Sequence, residues 1–240
     1  MPKNIIILTG GLAGSSVLTS LLNRAEYWVG ADTMKKKDYN TWENSELVRL
    51  NRKILDETGF KENWTMVFRP DYLDSIAKGF EKIDPEPFRA FMNECNNHQP
   101  WIWKDPRLWL TIRYWRKFID PENVFFLTIR RDPLQSWIST TIRRQIQTRA
   151  HSKRYGDGVD GTISDFLHQE NLPYLNILYE DLLMKPEEII KSINQGAGTN
   201  LTFEDFRSVF RGKLYRKQHG LYNLALAYAI YLKNYRERYF

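Results

Sequence analysis

The stretch NIIILTGGLAGSS, residues 4–16, predicts the fold, because it combines a buried strand, a glycine turn and the start of a helix. Its β-branched run at residues 5–7 favours a strand, and the three glycines of residues 10–14 allow a tight turn with exposed amides. The serines at 15 and 16 then open a stretch compatible with a helix, whose positive end can bind a phosphate. Taken alone, such a turn can also be a purely structural connection.

Three further apolar runs, 101–103, 124–129 and 175–179, resemble buried parallel strands. Strands that alternate with helical segments predict an α/β fold, with a central, mostly parallel sheet and helices on both faces. No repeat or linker divides the chain, so we expect one domain over residues 1–240. The predicted helices after the first are 43–58, 71–82, 85–96, 108–118, 133–149, 185–195 and 219–238.

Composition narrows the class of protein. The chain has 240 residues, of which 42% are hydrophobic, enough for a buried core and too many for a disordered or fibrous protein. Lys and Arg outnumber Asp and Glu by 35 to 29, and the net charge of +6 indicates an anionic partner: nucleic acid, a membrane surface or a phosphorylated small molecule. The single cysteine, Cys95, excludes an internal disulfide, and the four histidines show no zinc-site spacing.

Residues 4–23 are uncharged and follow Lys3, as in a signal peptide, but glycines and serines interrupt their apolar part. They are also far from the roughly 20 apolar residues that a membrane span needs. Residues 221–232 are too short to span a bilayer and predict a C-terminal helix on the core. We therefore expect a cytoplasmic protein without an integral membrane segment.

Ligands of α/β sheets bind beyond the carboxyl ends of the strands, so the residues after each strand are the candidate site. The segment 104–107, KDPR, follows the second run with two cations and a carboxylate, a set suited to a transferring anionic group or to a salt-bridged loop. The segment 130–133, RRDP, follows the third run, and Ser139 lies two helical turns later. Tyr179 follows the fourth run and can stack on a nucleobase, or its acidic neighbours can cap a helix.

Residues 10–16 are not a Walker A motif, because Ser15 rather than lysine follows Gly14, which argues against an ordinary kinase or NTPase. Taken together and in order, the segments resemble the PAPS-dependent sulfotransferases, particularly the bacterial members, where PAPS is 3′-phosphoadenosine 5′-phosphosulfate. The resemblance covers nearly the whole chain, and the offset of eight residues from Arg131 to Ser139 is its most specific part. The matching segments are 10–16, 39–44, 103–108, 131–139 and 179–187.

Two positions depart from the family pattern. Leu12, followed by Ala13, stands where the family carries Lys or Arg in its phosphate loop. Lys104, Arg107 or the lysines at 35–37 then supply that charge, or activity is low or lost. Pro106 stands where cytosolic members have a histidine base, so a carboxylate must accept the proton.

The resemblance implies transfer of a sulfuryl group from PAPS to a hydroxyl or amine of a carbohydrate, lipid or small-molecule acceptor. It implies a P-loop-like fold, no metal, and 3′-phosphoadenosine 5′-phosphate as the donor product. Lys104 would act on the sulfuryl group, with Glu43 as the first choice of base and Asp105 as the second, because Lys104 beside Asp105 weakens it as a base. The implied donor-binding residues are Gly11, Leu12, Ala13, Gly14, Ser15, Ser16, Arg107, Arg131, Ser139 and Tyr179.

Alternatives stay open at this point. Glu43 can simply be an acid in the first turn of a helix, and Leu12 can mark a nucleotide-binding relative that has lost its activity. A nucleic-acid binder would use the positive charge, but the chain has no recognisable nucleic-acid-binding motif, so we expect no nucleic-acid partner. The basic segment 143–154 predicts either an acceptor lid leading into a mobile loop at 155–158 or a solvated helix face, and the basic segment 211–217 can reach the donor.

Overall fold

The central sheet contains four parallel strands in the order β4-β1-β5-β6, in a computed structural model that describes residues 2–35, 40–210 and 220–238. Strand β1 lies in the middle, where Ile7 pairs with Lys104 of β4 and Leu8 with Thr128 of β5. Strands β2 and β3 form a separate antiparallel pair. The strands are β1 Asn4–Leu8, β2 Thr33–Lys35, β3 Asn40–Asn44, β4 Ile102–Lys104, β5 Val124–Arg130 and β6 Tyr174–Leu178.

Helices cover both faces of the sheet, as the sequence predicts. All five residues of β1 are buried, and they alternate between two hydrophobic clusters: Ile6 and Leu8 in one, Ile5 and Ile7 in the other. The helices are α1 Ser15–Leu22, α2 Ser45–Glu57, α3 Tyr72–Ala77, α4 Glu86–Asn97, α5 Leu108–Trp115, α6 Pro133–Ile142, α7 Arg149–Gln169, α8 Tyr179–Met184, α9 Pro186–Ala197, α10 Phe203–Val209 and α11 Leu221–Lys233. Of these, α2, α4, α5 and α7 pack on the first cluster, and α1, α9 and α10 on the second.

Several expected helix boundaries are wrong: the helix expected over 71–82 ends at Ala77, and the helix expected over 219–238 ends at Lys233. The helix expected from residue 43 begins at Ser45, because residues 40–44 pair with β2 and the Asn44 side chain caps α2 by accepting from two backbone amides. The helix expected over 133–149 ends at Ile142, where Arg144 has a φ of 65° and turns the chain.

The mobile loop expected at 155–158 is also absent, since these residues lie within helix α7. Thr148 caps the helix by accepting from the His151 amide, and Val159, Ile163 and Phe166 recur at helical spacing on its buried side. Burial of this apolar face outweighs the low helix propensity of the three glycines.

Several sequence expectations concern residues outside the described ranges: Lys36 and Lys37 of the lysine run, Tyr39 of the segment 39–44, and the basic segment 211–217. No helix in the described part of the chain combines the length and the apolar character that crossing a membrane requires.

Helix α7 offers a matched test of close packing. A Cβ at Gly158 would lie 2.2 Å from Cδ1 of Phe68, whereas a Cβ at Gly156 would have no atom within 4 Å. We expect Gly158→Ala to lower the free energy of unfolding by about 1–3 kcal/mol through overpacking. Gly156→Ala should raise it by up to about 1 kcal/mol, because alanine is the better helix former. Urea unfolding of both variants measures the difference, and equal effects would contradict this packing.

Candidate active site

Loops from four strands meet at the carboxyl edge of the sheet. The loop after β1 lies close to the loop after β4. A Cβ added to Gly11 would be 3.4 Å from Cβ of Pro106. The Tyr179 ring, after β6, lies against Gly14, and the Arg131 guanidinium, after β5, is 5.1 Å from the centre of that ring. Parallel strands thus bring together the segments that the sequence predicts to form the site.

The loop after β1 is held from both sides. Gly14 has a φ of 86°, and a Cβ there would lie 2.1 Å from the Tyr179 ring, so close approach and backbone conformation both require glycine. The Tyr155 hydroxyl donates to the Gly10 carbonyl at 3.0 Å, and the Gly11 amide donates to the Thr9 hydroxyl at 3.3 Å. These bonds fix the peptide between Gly10 and Gly11, so the amides available to an anion are those further along, at the start of α1.

A buried lysine joins three elements at the start of α1. Nζ of Lys104 lies 2.7 Å from Oε1 of Glu43 and 3.5 Å from Oγ of Ser16. The Lys104 side chain is 2% exposed and the Glu43 side chain 18%, while the Ser16 hydroxyl donates to the Thr41 carbonyl of β3 at 3.3 Å. A cation, a carboxylate and a hydroxyl from β4, β3 and α1 therefore meet at a helix N-terminus.

Glu43 lies in strand β3 rather than in the first turn of a helix. The strand places its side chain on the buried amine of Lys104. The alternative that Glu43 only complements the dipole of α2 therefore does not describe the structure, since Glu46 is the acid in that turn.

Asp105 faces a different set of partners. It is fully buried, its Oδ2 accepts from the Asn51 amide at 2.9 Å, and its Oδ1 accepts from both the backbone and the guanidinium of Arg107. Asn51 in turn accepts from the Thr111 hydroxyl and the Trp115 indole. These bonds fix the turn after β4 and give Asp105 a structural role.

The turn after β5 contains a second buried cation. The Nε of Arg131 lies 3.6 Å from Oε1 of Glu180, and the other carboxylate oxygen, Oε2, accepts from the Asp132 amide at 3.1 Å. Burial lowers the pKa of the Arg131 guanidinium, and the charge of Arg143 lowers it further, whereas Tyr179 and Glu180 oppose the shift. Arg143 follows Ser139 by four residues and so lies on the same side of α6. Ser139 and Tyr179 are both buried.

Three residues of the site were missed in the sequence. The sequence predicts a loop at Tyr155, whereas its hydroxyl bonds to the loop after β1. The sequence indicates a possible helix cap at Glu180, whereas in the structure it faces Arg131. Arg143 belonged to a basic run, and only its spacing of four from Ser139 could have indicated a place near Arg131.

Cys95 is a small residue in the hydrophobic core. It is fully buried, and burial raises the pKa of its thiol to about 12. The Trp103 indole donates to its sulfur at 3.4 Å. Within residues 2–35, 40–210 and 220–238, no group of three or more His, Cys, Asp and Glu side chains could hold a metal ion.

No protein-family model matches the sequence, and no curated protein matches it either. Among solved structures, the sulfotransferase domain of the olefin synthase from Synechococcus PCC 7002 is similar with a TM-score of 0.52 and 17% identity, over 92% of this chain and 82% of that one. The sulfotransferase domain from the curacin biosynthetic pathway has the same TM-score and identity, over 93% of this chain and 82% of its own. The chain has the sulfotransferase fold.

The sulfotransferase fold confirms the expected architecture, a P-loop-like α/β fold with a central parallel sheet flanked by helices. At 17% identity the similarity establishes the fold alone. The chemistry of the site follows from its own residues, and above all from the buried pair of Lys104 and Glu43.

Asp160 of α7 makes a pH-dependent contribution to stability. Burial raises the pKa of its carboxyl from 3.8 to about 6, with Arg130 opposing and Asp157 assisting the shift. Because the folded pKa lies above the unfolded one, ionised Asp160 destabilises the fold, and this loss develops as pH rises from about 4 to 6.

We therefore expect Asp160→Asn to stabilise the protein at neutral pH by about 1–3 kcal/mol, from about 1.4 kcal/mol per pKa unit. The gain should shrink towards zero as the solution is acidified to about pH 4. Denaturant unfolding across this range measures it. A gain that does not change with pH would contradict the raised pKa.

Proposed function

We propose that this chain transfers a sulfuryl group from PAPS to a hydroxyl or amine of a carbohydrate, lipid or small-molecule acceptor. The observation that carries the proposal is the buried ion pair of Lys104 with Glu43, 2.7 Å apart, beside Ser16 at the N-terminus of α1. Sulfuryl transfer needs a cation near the leaving oxygen and a base near the acceptor, as phosphoryl transfer does. The pair provides both groups at one place.

The donor has two phosphates, and the site has two suitable regions for them. The amides and hydroxyls of Ser15 and Ser16, at the positive end of α1, would hold the 5′-phosphate. Arg131 and Ser139, with Arg143 nearby, would hold the 3′-phosphate. The Tyr179 ring lies between these regions, against both Gly14 and Arg131, a position that supports its assignment to the adenine.

Lys104 is placed to provide the positive charge that the family carries at the position of Leu12. Leu12 has a φ of 55°, within a loop where the family carries a cation. The Lys104 amine reaches the start of α1 from the neighbouring strand, 3.5 Å from the Ser16 hydroxyl. We propose that Lys104 replaces the missing phosphate-loop cation, whereas Arg107 is engaged by Asp105.

The donor, when bound, supplies the sulfuryl group and a 5′-phosphate as leaving group. Glu43 accepts the proton of the acceptor hydroxyl or amine, so that the acceptor atom can form its bond to sulfur. Lys104 and the amides of α1 offset the negative charge that appears on the leaving oxygen when its bond to sulfur breaks. Asp105 acts through Arg107 and Asn51 by holding the turn that positions Lys104.

A second candidate function is that of a nucleotide-binding relative without catalysis, and Leu12 is the observation that favours it. Such a protein would bind 3′-phosphoadenosine 5′-phosphate and transfer no sulfate to any acceptor. A buried lysine needs a compensating carboxylate in either protein, so measured sulfate transfer, rather than the ion pair of Lys104 and Glu43, separates the two functions.

Arg131 and Arg130 form a matched pair for testing the donor site. Arg131 is buried beside Glu180, whereas the adjacent Arg130 is exposed. We expect Arg131→Ala to weaken binding of 3′-phosphoadenosine 5′-phosphate by about 10²-fold or more, as expected for loss of a charged hydrogen-bond donor. Isothermal titration calorimetry measures this loss, and Arg130→Ala should bind nearly as the parent protein does. Equal affinities for the two variants would refute the 3′-phosphate assignment.

The role of Glu43 as the base can be tested by comparing its substitution with substitutions of Glu46 and Asp105. Glu43→Gln should lower turnover by about 10²–10⁴-fold, because a general base is lost, while the affinity for 3′-phosphoadenosine 5′-phosphate changes little. Transfer of radiolabelled sulfate from PAPS to a panel of sugars, lipids, alcohols and amines measures turnover. Glu46→Gln, on the exposed start of α2, is the control. Normal turnover of Glu43→Gln together with loss in a folded Asp105→Asn would make Asp105 the base.

A further inference from the structure

Helix α11 exposes a line of apolar side chains. Leu221, Tyr222 and Leu232 are 86%, 77% and 69% exposed, and Tyr235, just after the helix, is 45% exposed. Leu221, Tyr228 and Leu232 are spaced by seven and four residues, so they lie along one side of the helix, although the Tyr228 ring also contacts Trp137 at 5.0 Å. Large apolar residues grouped in this way on a surface indicate a binding face.

The side of α11 next to these residues packs on the protein. Ala227 is fully buried in a cluster with Trp137 and Ile138 of α6, and the Tyr231 ring lies 5.8 Å from that of Trp137. The helix is thus packed on α6 through one side only, and this packing determines which residues point outwards.

The positive charge of the chain is concentrated in the same region. Residues 143–154 contain five cations and no acid, and residues 221–238 contain three cations and one acid. Together they carry a net charge of +7, against +6 for the whole chain, so the remaining residues sum to −1. Arg149 links the two segments, because its Nη1 donates to the Tyr228 hydroxyl at 3.1 Å. Arg144, Arg154 and Arg236 are exposed.

We propose that this face, formed by α11 and residues 143–154, binds the surface of an anionic membrane. Tyrosines and leucines beside arginines and lysines are the combination by which interfacial helices bind anionic lipids. A second copy would bring like charges together, which opposes self-association, and a nucleic acid has no use for exposed leucines. Arg143 also borders the proposed 3′-phosphate region, so the variants that test this face leave Arg143 unchanged, and the two proposals can fail separately.

Sedimentation with lipid vesicles tests the proposal. The full chain should bind phosphatidylcholine vesicles that contain phosphatidylglycerol, should not bind phosphatidylcholine alone, and should be released by salt. A charge variant with Arg144→Gln, Arg154→Gln and Arg236→Gln should lose roughly fivefold in affinity per cation removed. An apolar variant with Leu221→Ser and Leu232→Ser should also bind more weakly.

The matched control removes the same number of exposed cations elsewhere: Arg52→Gln in α2, Lys61→Gln between α2 and α3, and Lys78→Gln just after α3. It should bind vesicles as the parent does, and equal weakening of both triple variants would overturn the assignment to this face.

Absence of vesicle binding, with sedimentation equilibrium showing a dimer that the two serine substitutions dissociate, would identify a self-association surface instead. Binding of RNA but not vesicles would likewise overturn the proposal. Titration with 3′-phosphoadenosine 5′-phosphate should give the same affinity in all variants, whether or not vesicles bind.

Discussion

Lys104 is an almost completely buried cation, and burial of an unpaired charge would be strongly destabilising. The carboxylate of Glu43 compensates it from β3, a strand that is not part of the central sheet. The β2–β3 hairpin therefore supports a charge pair at the edge of the central sheet. The hairpin also bonds to the start of α1, through the Ser16 hydroxyl, which donates to the Thr41 carbonyl. A change in the hairpin therefore acts on the lysine, the carboxylate and the start of α1 together.

A second buried network, of hydrogen bonds around Asn51, holds the turn that follows Lys104. Asn51 of α2 bonds at once to Asp105, Thr111 and Trp115, and so connects α2 to α5 and to the turn after β4. A buried polar network of this kind stabilises the fold only while all its members are satisfied. It also separates the two neighbouring charges of the sequence, since Lys104 points to Glu43 and Asp105 to Asn51 and Arg107. Adjacent residues on an extended chain point to opposite sides, and the lysine and the carboxylate consequently serve different purposes.

The order of strands, the glycine turn and the segments of the site could be predicted, because burial on both faces of a strand and glycine-rich turns leave local signals in the sequence. The hairpin could not, because β2 has only three residues and its pairing with β3 rests on distant bonds such as that from Asn40 to Thr33. The glycines of α7 predict a loop. The segment is helical because its apolar side packs against the core, which no local pattern reveals. The pairing of Arg131 with Glu180 brings together residues 49 positions apart, which no local pattern reveals.

The net positive charge does not reside at the candidate active site, although anion binding there would suggest it. Of the four arginine and lysine side chains at the ends of β4 and β5, three face an acid, and the fourth, Arg130, is exposed. These pairs are Lys104 with Glu43 at 2.7 Å, Arg107 with Asp105 at 2.9 Å and Arg131 with Glu180 at 3.6 Å. The acids orient these cations before any anion arrives, and ion pairs that are largely buried are little affected by salt. The excess charge lies instead on exposed side chains around α11, where screening is strong. Salt should therefore weaken binding at that face far more than binding of a nucleotide at the sheet edge, so ionic strength can separate the two kinds of anion binding in one protein.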